Sequence, residues 1–331
     1  MTAAVLLLLA LALPPSATPG RAADERAALD AIYALLGERR FSEAKAEWNR
    51  VGARIQESVR AASGQALAPA AERDLQRRVA EAWFVQGLLT ARFGEKEEAL
   101  RLLRDADGLG FPPLDSPLMV LAADCLHELQ EHALAARAYR EVLKRSPGNE
   151  PARLRLGNCL YSMGQLAAAE RELEEVLRRA PATPQAHYEL GAVLFEQKRN
   201  DEAKAHLERE LARDARCLPC MGKLAHLAYL AGDDRLCESW LAKAAALDPE
   251  HLETNLVSGM LENRTGRYDL AIQHLSRVVQ QAPGYTRAQY QLALAYERSG
   301  NAGKAREHLA IYNRLIQEEK ARTIGVRGAE E

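Results

Sequence analysis

Four prolines of this chain stand on a ladder. Pro147 and Pro181 are 34 residues apart, Pro181 and Pro249 twice that, and Pro249 and Pro283 again 34, with Ala215 on the rung between. A fixed period of this length marks a stack of supersecondary units, each too small to bury its own apolar face, so that neighbours must cover one another. That constraint outranks the length of 331 residues, which would otherwise suggest two globular domains. A core that grows along one axis needs no such division.

Every copy carries the same internal pattern. A small residue recurs at Gly87, Ala123, Gly157, Gly191, Ala225, Gly259 and Ala293. A second small residue follows at Ala99, Ala135, Ala169, Ala203, Cys237, Ala271 and Ala305, and then a large one at Leu103, Tyr139, Leu173, Leu207, Leu241, Leu275 and Leu309. Between the first two lies a turn position, Gly in five copies and Gln130 or Lys198 in the other two. The pattern reads as two helices joined by a turn. The small positions let the helices approach closely, the large one is expected to fill the space between neighbouring units, and Gly in the turn takes positive φ at no steric cost. A proline then stops the second helix. Ala, Leu, Glu and Arg dominate and aromatics are 5% of residues, which favours helix over sheet.

The units resemble tetratricopeptide repeats, most clearly RLRLGNCLYSMGQLAAAERELEEVLRRAP (Arg153–Pro181) and HYELGAVLFEQKRNDEAKAHLERELARDA (His187–Ala215). The aromatic near the start of the family's first helix stands at Trp83, while Arg153, His187 and Asn255 replace it elsewhere. Seven copies are expected, at 80–113, 116–149, 150–183, 184–217, 218–251, 252–285 and 286–319, with the extra segment GFPPLDSP after the first. The resemblance implies an all-α, right-handed superhelical solenoid of tandem helix-turn-helix repeats. Residues 24–71 read as an amino-terminal helix pair, for which a degenerate repeat is one reading, plus a small-residue linker (Ala61–Ala71). Residues 320–331 are read as a helix end and a frayed tail.

The first residues are different in kind. Ala3–Leu13 is an unbroken apolar run followed by Pro14 and Pro15. Such a run is too short for a bilayer, which needs about 20 residues, and has the length of a secretory signal's core. No Lys or Arg precedes it. Residues 1–23 are therefore expected to be a signal peptide, the mature protein to be periplasmic or secreted without an integral membrane span, and a cytoplasmic protein with a different start is the alternative.

Functional residues were sought in three places. The resemblance implies a concave groove lined by first helices, and the repeat phase assigns to it Asp124, His127, Leu154, Asn158, Tyr161, Tyr188, Phe195, His226, Tyr229, Met260, Asn263 and Tyr290. For each, packing between units is an equal reading. As a set the aromatics favour a peptide or amphipathic helix of a partner protein. The family's carboxylate clamp for chaperone tails is not reproduced: Asn158 matches one position, but Leu154 stands where Lys is expected. Cys217 and Cys220 form Cys-Leu-Pro-Cys between two repeats; a local disulfide, inert thiols, and a redox or metal pair are the three readings. Cys125, Cys159 and Cys237 read as small core residues.

Catalysis has no support. No nucleophile elbow, phosphate loop or dinucleotide fingerprint is present. The eight histidines are dispersed, and His127 and His132, five apart, do not share a helix face, so neither a metal site nor a cofactor is expected. Net charge is −2 with signs interspersed, which gives no basic footprint for nucleic acid. The expected function is a non-enzymatic protein-interaction scaffold, with a thiol or disulfide-handling accessory protein using Cys217 and Cys220 as the alternative. The export expectation is checked by sequencing the amino terminus of protein from its own cell. A mature chain beginning after Ala17 or Ala23 is expected, and one beginning at Met1 overturns it.

Overall fold

In a computed structural model, residues 19–63, 69–109 and 116–327 are described, and they form sixteen α-helices with no strand among them. The apolar run at the start, the middle of the 61–71 linker and most of GFPPLDSP lie outside the described residues. The helices form two compact units, divided after Arg179.

The first unit contains α1 (Pro19–Gly37), α2 (Phe41–Ser63), α3 (Pro69–Phe93), α4 (Lys96–Gly108), α5 (Ser116–Glu128), α6 (His132–Arg145), α7 (Glu150–Ser162) and α8 (Leu166–Arg179). The second contains α9 (Ala186–Glu196), α10 (Asn200–Arg213), α11 (Leu218–Ala231), α12 (Asp234–Leu247), α13 (Leu252–Arg264), α14 (Tyr268–Gln281), α15 (Thr286–Arg298) and α16 (Ala302–Arg327). Within each unit, successive helices pack as antiparallel pairs stacked on the next pair. Two features depart from the expected register. Helix α3 starts at Pro69, well ahead of residue 80, and α16 runs on to Arg327, through residues expected to fray.

The small-to-large pattern has a direct physical meaning. A Cβ placed on Gly87, Gly157, Gly191 or Gly259 would come within 2.9, 2.8, 3.0 and 2.4 Å of a side-chain carbon of Leu103, Leu173, Leu207 and Leu275, respectively. Each leucine is fully buried. The large residue thus seats on the glycine of its own unit, and Leu275 also packs in one core cluster with Ala288 and Leu292 of the next unit. The second helix sits so close to the first that a single methyl has no room.

A second, polar ladder runs beside this apolar one. The side chains of Arg153, Asn255 and Gln289 each donate to the carbonyl of the ladder proline six residues earlier, Pro147, Pro249 and Pro283, at 3.0, 2.8 and 2.8 Å. The same positions meet a residue of the second helix nineteen further on. Arg153 donates to Glu172 (2.7 Å), the Nδ1 atoms of His187 and His206 lie 2.9 Å apart, His274 bonds Asn255 Oδ1 (2.9 Å), and His308 bonds Gln289 Oε1 (2.8 Å). Where an aromatic was expected, these four copies carry a polar group, buried at Asn255 and Gln289 and half-buried at Arg153 and His187, and the facing helix supplies each with a partner.

The amino-terminal pair is tied to α3 by ions. Arg26 donates to Glu81 at 2.9 Å and Arg78 to Glu25 at 2.6 Å, and both carboxylates are buried. In the turns, Gln130 and Lys198 adopt φ of 65° and 66°, matching the glycines at the same position in other copies.

Both constraints can be tested by equilibrium unfolding. Gln130→Gly relieves a strain of ~1–2 kcal/mol against a glycine entropy cost of ~0.5–1 kcal/mol, so a gain of up to ~1.5 kcal/mol is expected. Gly259→Ala gains up to ~1 kcal/mol of helix propensity but forces Leu275 to move, at ~1–3 kcal/mol. A net loss of stability is expected, and a stabilised Gly259→Ala would show that the close approach is not required.

Candidate functional site

In the first unit, α3, α5 and α7 and the turn between α1 and α2 enclose a cavity of about 620 Å³. Arg39, Arg92, Lys96 and Arg155 line it, with Asp124, Glu128, Cys125 and His127. The turn reaches this place through Arg39, 3.7 Å from Asp124. Of the expected groove residues, only Asp124 and His127 face this cavity. Leu154, Asn158 and Tyr161 are half-buried on α7 and are not part of its lining. Asp124 is also occupied, since it accepts a 2.6 Å hydrogen bond from the fully buried Tyr139 hydroxyl. Burial, and then this carboxylate, push the Tyr139 phenol well above its usual range.

The cysteines divide. Cys159 is buried as expected, but Cys125 is only half-buried and faces the cavity. Burial pushes the Cys125 thiol up to about 12 and the Cys159 thiol up to about 11.

In the second unit, α9, α11, α13 and α15 bring together a different set. The rings of Phe195, His226 and Tyr229 follow one another at 4.9 and 6.5 Å. Phe195 and His226 are each only 2% exposed, so they form a floor rather than a surface. Lys223 lies over Phe195, its Nζ 4.8 Å from the ring centre, and Lys198 approaches the same ring at 5.7 Å. Glu253 accepts from His226 Nδ1 at 2.8 Å and pairs with Lys223 at 3.6 Å. Arg287, which can only donate, lies 3.4 Å from His226 Nε2. His226 therefore accepts from Arg287 on one side and donates to Glu253 on the other. Burial alone would raise the Glu253 carboxyl, but the His226 hydrogen bond and the charges of Lys223 and Arg287 outweigh it and hold the group at about 2. Arg264 stacks on Tyr229 at 4.0 Å, donates to its carbonyl at 2.6 Å and pairs with Asp234, which fixes that ring.

The remaining expected residues are scattered. Tyr188 is half-buried on α9. Tyr290 is 44% exposed and leans on Tyr312 of α16 at 5.3 Å. Met260 and Asn263, expected to face the groove, are each only 6% exposed. Met260 packs in the core with Leu256 and Leu275, and Asn263 donates to Gln291 of α15. They hold repeats together and are corrected as contact residues. The sequence reading missed Glu253 and Arg287. Their signal was present: they occupy the same position of successive repeats with opposite charge.

Cys217 and Cys220 are joined by a disulfide with Cα atoms 5.3 Å apart. Helix α11 opens at Leu218, so Cys217 is its N-cap and Cys220 lies buried in its first turn.

Tetratricopeptide repeat models match residues 126–192 and 264–322, and a second model of the same description matches 239–286. The chain carries tetratricopeptide repeats. Solved structures share the fold at low identity. The Cut9–Hcn1 hetero-tetramer of APC/C matches at 16% identity and a TM-score of 0.57, over 88% of this chain and 56% of that one. A monomeric mutant of IFIT1, solved with Gppp-AAAA, matches at 16% and 0.54, over 86% and 68%. Pseudomonas aeruginosa PilF matches at 21% and 0.47, over 66% and 97%. No curated protein matches this tetratricopeptide repeat chain. Among the described residues, no helix is long and apolar enough to cross a membrane.

The half-buried histidines make the repeats sensitive to acid. Burial, followed by the charge of His187, pushes His206 down to about 4, and burial lowers His187, His251, His274 and His308 as well. Between the unfolded value of about 6.5 and about 4, the unfolded chain binds the proton more readily than the folded one. Stability therefore falls as pH drops through that window. The melting temperature followed by circular dichroism is expected to decline from pH 7 to 4, with a shallower slope for His206→Gln; an unchanged slope would remove this histidine pair as a cause.

Proposed function

We propose that this protein is a non-enzymatic scaffold whose second unit holds a segment of a partner protein that carries a carboxylate beside an apolar side chain. One observation carries the reading. Lys223 and His226 converge on a single carboxylate, Glu253, against an aromatic floor, and Arg287 meets the far nitrogen of the same imidazole. Lys198 approaches the same floor from the end of α9. Glu253 holds Lys223 and His226 holds Arg287 in the free protein, while the surplus donors of both cations remain for an incoming carboxylate. Tyr188, Tyr229 and Tyr290 offer aromatic area along the same first helices, the residue type that supplies binding energy at interfaces. The family fold supports an interaction role, and no constellation of side chains described above resembles a catalytic centre.

The alternative reading, a thiol or disulfide-handling protein, draws on the bonded pair at the start of α11. With Cys220 buried beneath that turn, we read the pair as a brace for the helix start. The disulfide, together with the apolar run Ala3–Leu13, supports export to an oxidising compartment such as the periplasm.

Screening an array of short peptides tests the proposal. Binders are expected to be rich in Asp or Glu next to apolar residues and to weaken with salt. Arg287→Glu is expected to weaken them roughly tenfold or more, as loss of a charge-assisted contact does, and Tyr188→Ala with Tyr229→Ala to weaken them while helicity holds. Cys217→Ser with Cys220→Ser is expected to leave binding intact. Binders without acidic residues, or indifference to Arg287→Glu, would sink the reading.

A further inference from the structure

His127 and His132 carry no metal-ligand signature in the sequence, and Cys159 lies in the next repeat. The fold nevertheless brings the three together. His127 is in the last turn of α5 and His132 is the first residue of α6, and the tight turn at Gln130 folds one back toward the other, their ring centres 5.5 Å apart. Helix α7 then places the fully buried Cys159 beneath them, its Sγ 3.4 Å from His127 Nδ1. One ligand atom from each residue lies within 4.8 Å of the other two. His132 Nδ1 is buried and has no hydrogen-bond partner among the described residues.

That orphaned nitrogen needs an explanation, because a buried polar atom without a partner is unfavourable. A cation between the three side chains would supply the missing partner. Two imidazoles and a thiol are the donor set of borderline-soft ions and a poor set for magnesium or calcium, which take oxygen ligands. The geometry also fits. Metal–nitrogen and metal–sulfur bonds of about 2.0 and 2.3 Å at a tetrahedral angle put nitrogen and sulfur roughly 3.5 Å apart, and the Cys159–His127 distance already has that value. His127 also lines the 620 Å³ cavity of the first unit, so a fourth position would open toward water or a ligand there.

We propose that His127, His132 and Cys159 bind one thiophilic metal ion of the zinc(II) or copper(I) class. Binding exchanges the Cys159 thiol proton for the metal. The S–H bond breaks, an S–metal bond forms, the proton leaves to solvent, and no electron is transferred. The site belongs to the first unit and does not depend on the peptide-binding reading of the second.

The test uses the intact protein, stripped with a chelator and kept free of thiol reductants so that the Cys217–Cys220 bond persists. Zinc(II) is titrated against a chromophoric chelator, copper(I) is titrated likewise under anaerobic conditions, and cobalt(II) serves as the spectroscopic probe. One ion per chain is expected, with a sulfur-to-cobalt charge-transfer band that zinc abolishes; the tighter of the zinc and copper arms names the resident metal. Cys159→Ala is expected to remove the band and to weaken binding at least about 100-fold, and His132→Gln to weaken it as well. Cys237→Ala, and Cys217→Ser with Cys220→Ser, should bind as the parent does. Absence of zinc and copper binding by the intact protein overturns the proposal, as does a cobalt spectrum without a sulfur band. Binding that survives Cys159→Ala does so too. Because the first two outcomes are read on the unaltered protein, a misfolded variant cannot obscure them.

Discussion

The seating of a leucine on a glycine within each repeat is the contact on which the rest depends. Leu173 on Gly157, Leu207 on Gly191 and Leu275 on Gly259 bring the second helix within a methyl's width of the first. At that separation the small residue of the second helix (Ala169, Ala203 or Ala271) is fully buried. The turn must also be tight, which is why the chain bends through positive φ even where it carries Gln130 or Lys198 in place of glycine. Interior packing at this density leaves little slack, so each repeat is a rigid plate.

Rigid plates make polar burial affordable in defined places. The position where the family carries an aromatic holds Arg153, His187, Asn255 or Gln289 here, each answered from the facing helix. These pairs exchange apolar contact for hydrogen bonds that work only at one helix separation, which the leucine–glycine contact sets. They also account for the acid sensitivity of the second unit, because several of the answering groups are imidazoles kept neutral by burial.

The candidate sites arise where this regularity is broken. Glu253 and Arg287 occupy one repeat position with opposite charges, and Lys223 and His226 complete the cluster from the preceding helix pair. In the first unit the turn between α1 and α2 brings Arg39 to Asp124 and adds it to the lining of a cavity between the first helices. Repeat phase located Phe195, His226 and Tyr229 in one group but could not say that the first two are a floor. Exposure depends on the length and direction of the neighbours' side chains, which phase does not carry. For the same reason Met260 and Asn263 looked like groove residues and are core.

The sequence by itself determined the helix pairs, their phase and the positions of the small and large residues, because these follow from spacing along one chain and repeat often enough to exclude coincidence. It also marked Cys217 and Cys220 as unlike the other cysteines. Only the tertiary structure decided which residues of different repeats meet. Glu253 with Arg287 and His226, and Cys159 with His127 and His132, are joined across helix pairs, where the relevant distance is set by how plates stack rather than by separation in the chain. Two histidines five residues apart face away from each other on a helix, and side by side across a turn, and nothing in their spacing distinguishes the two.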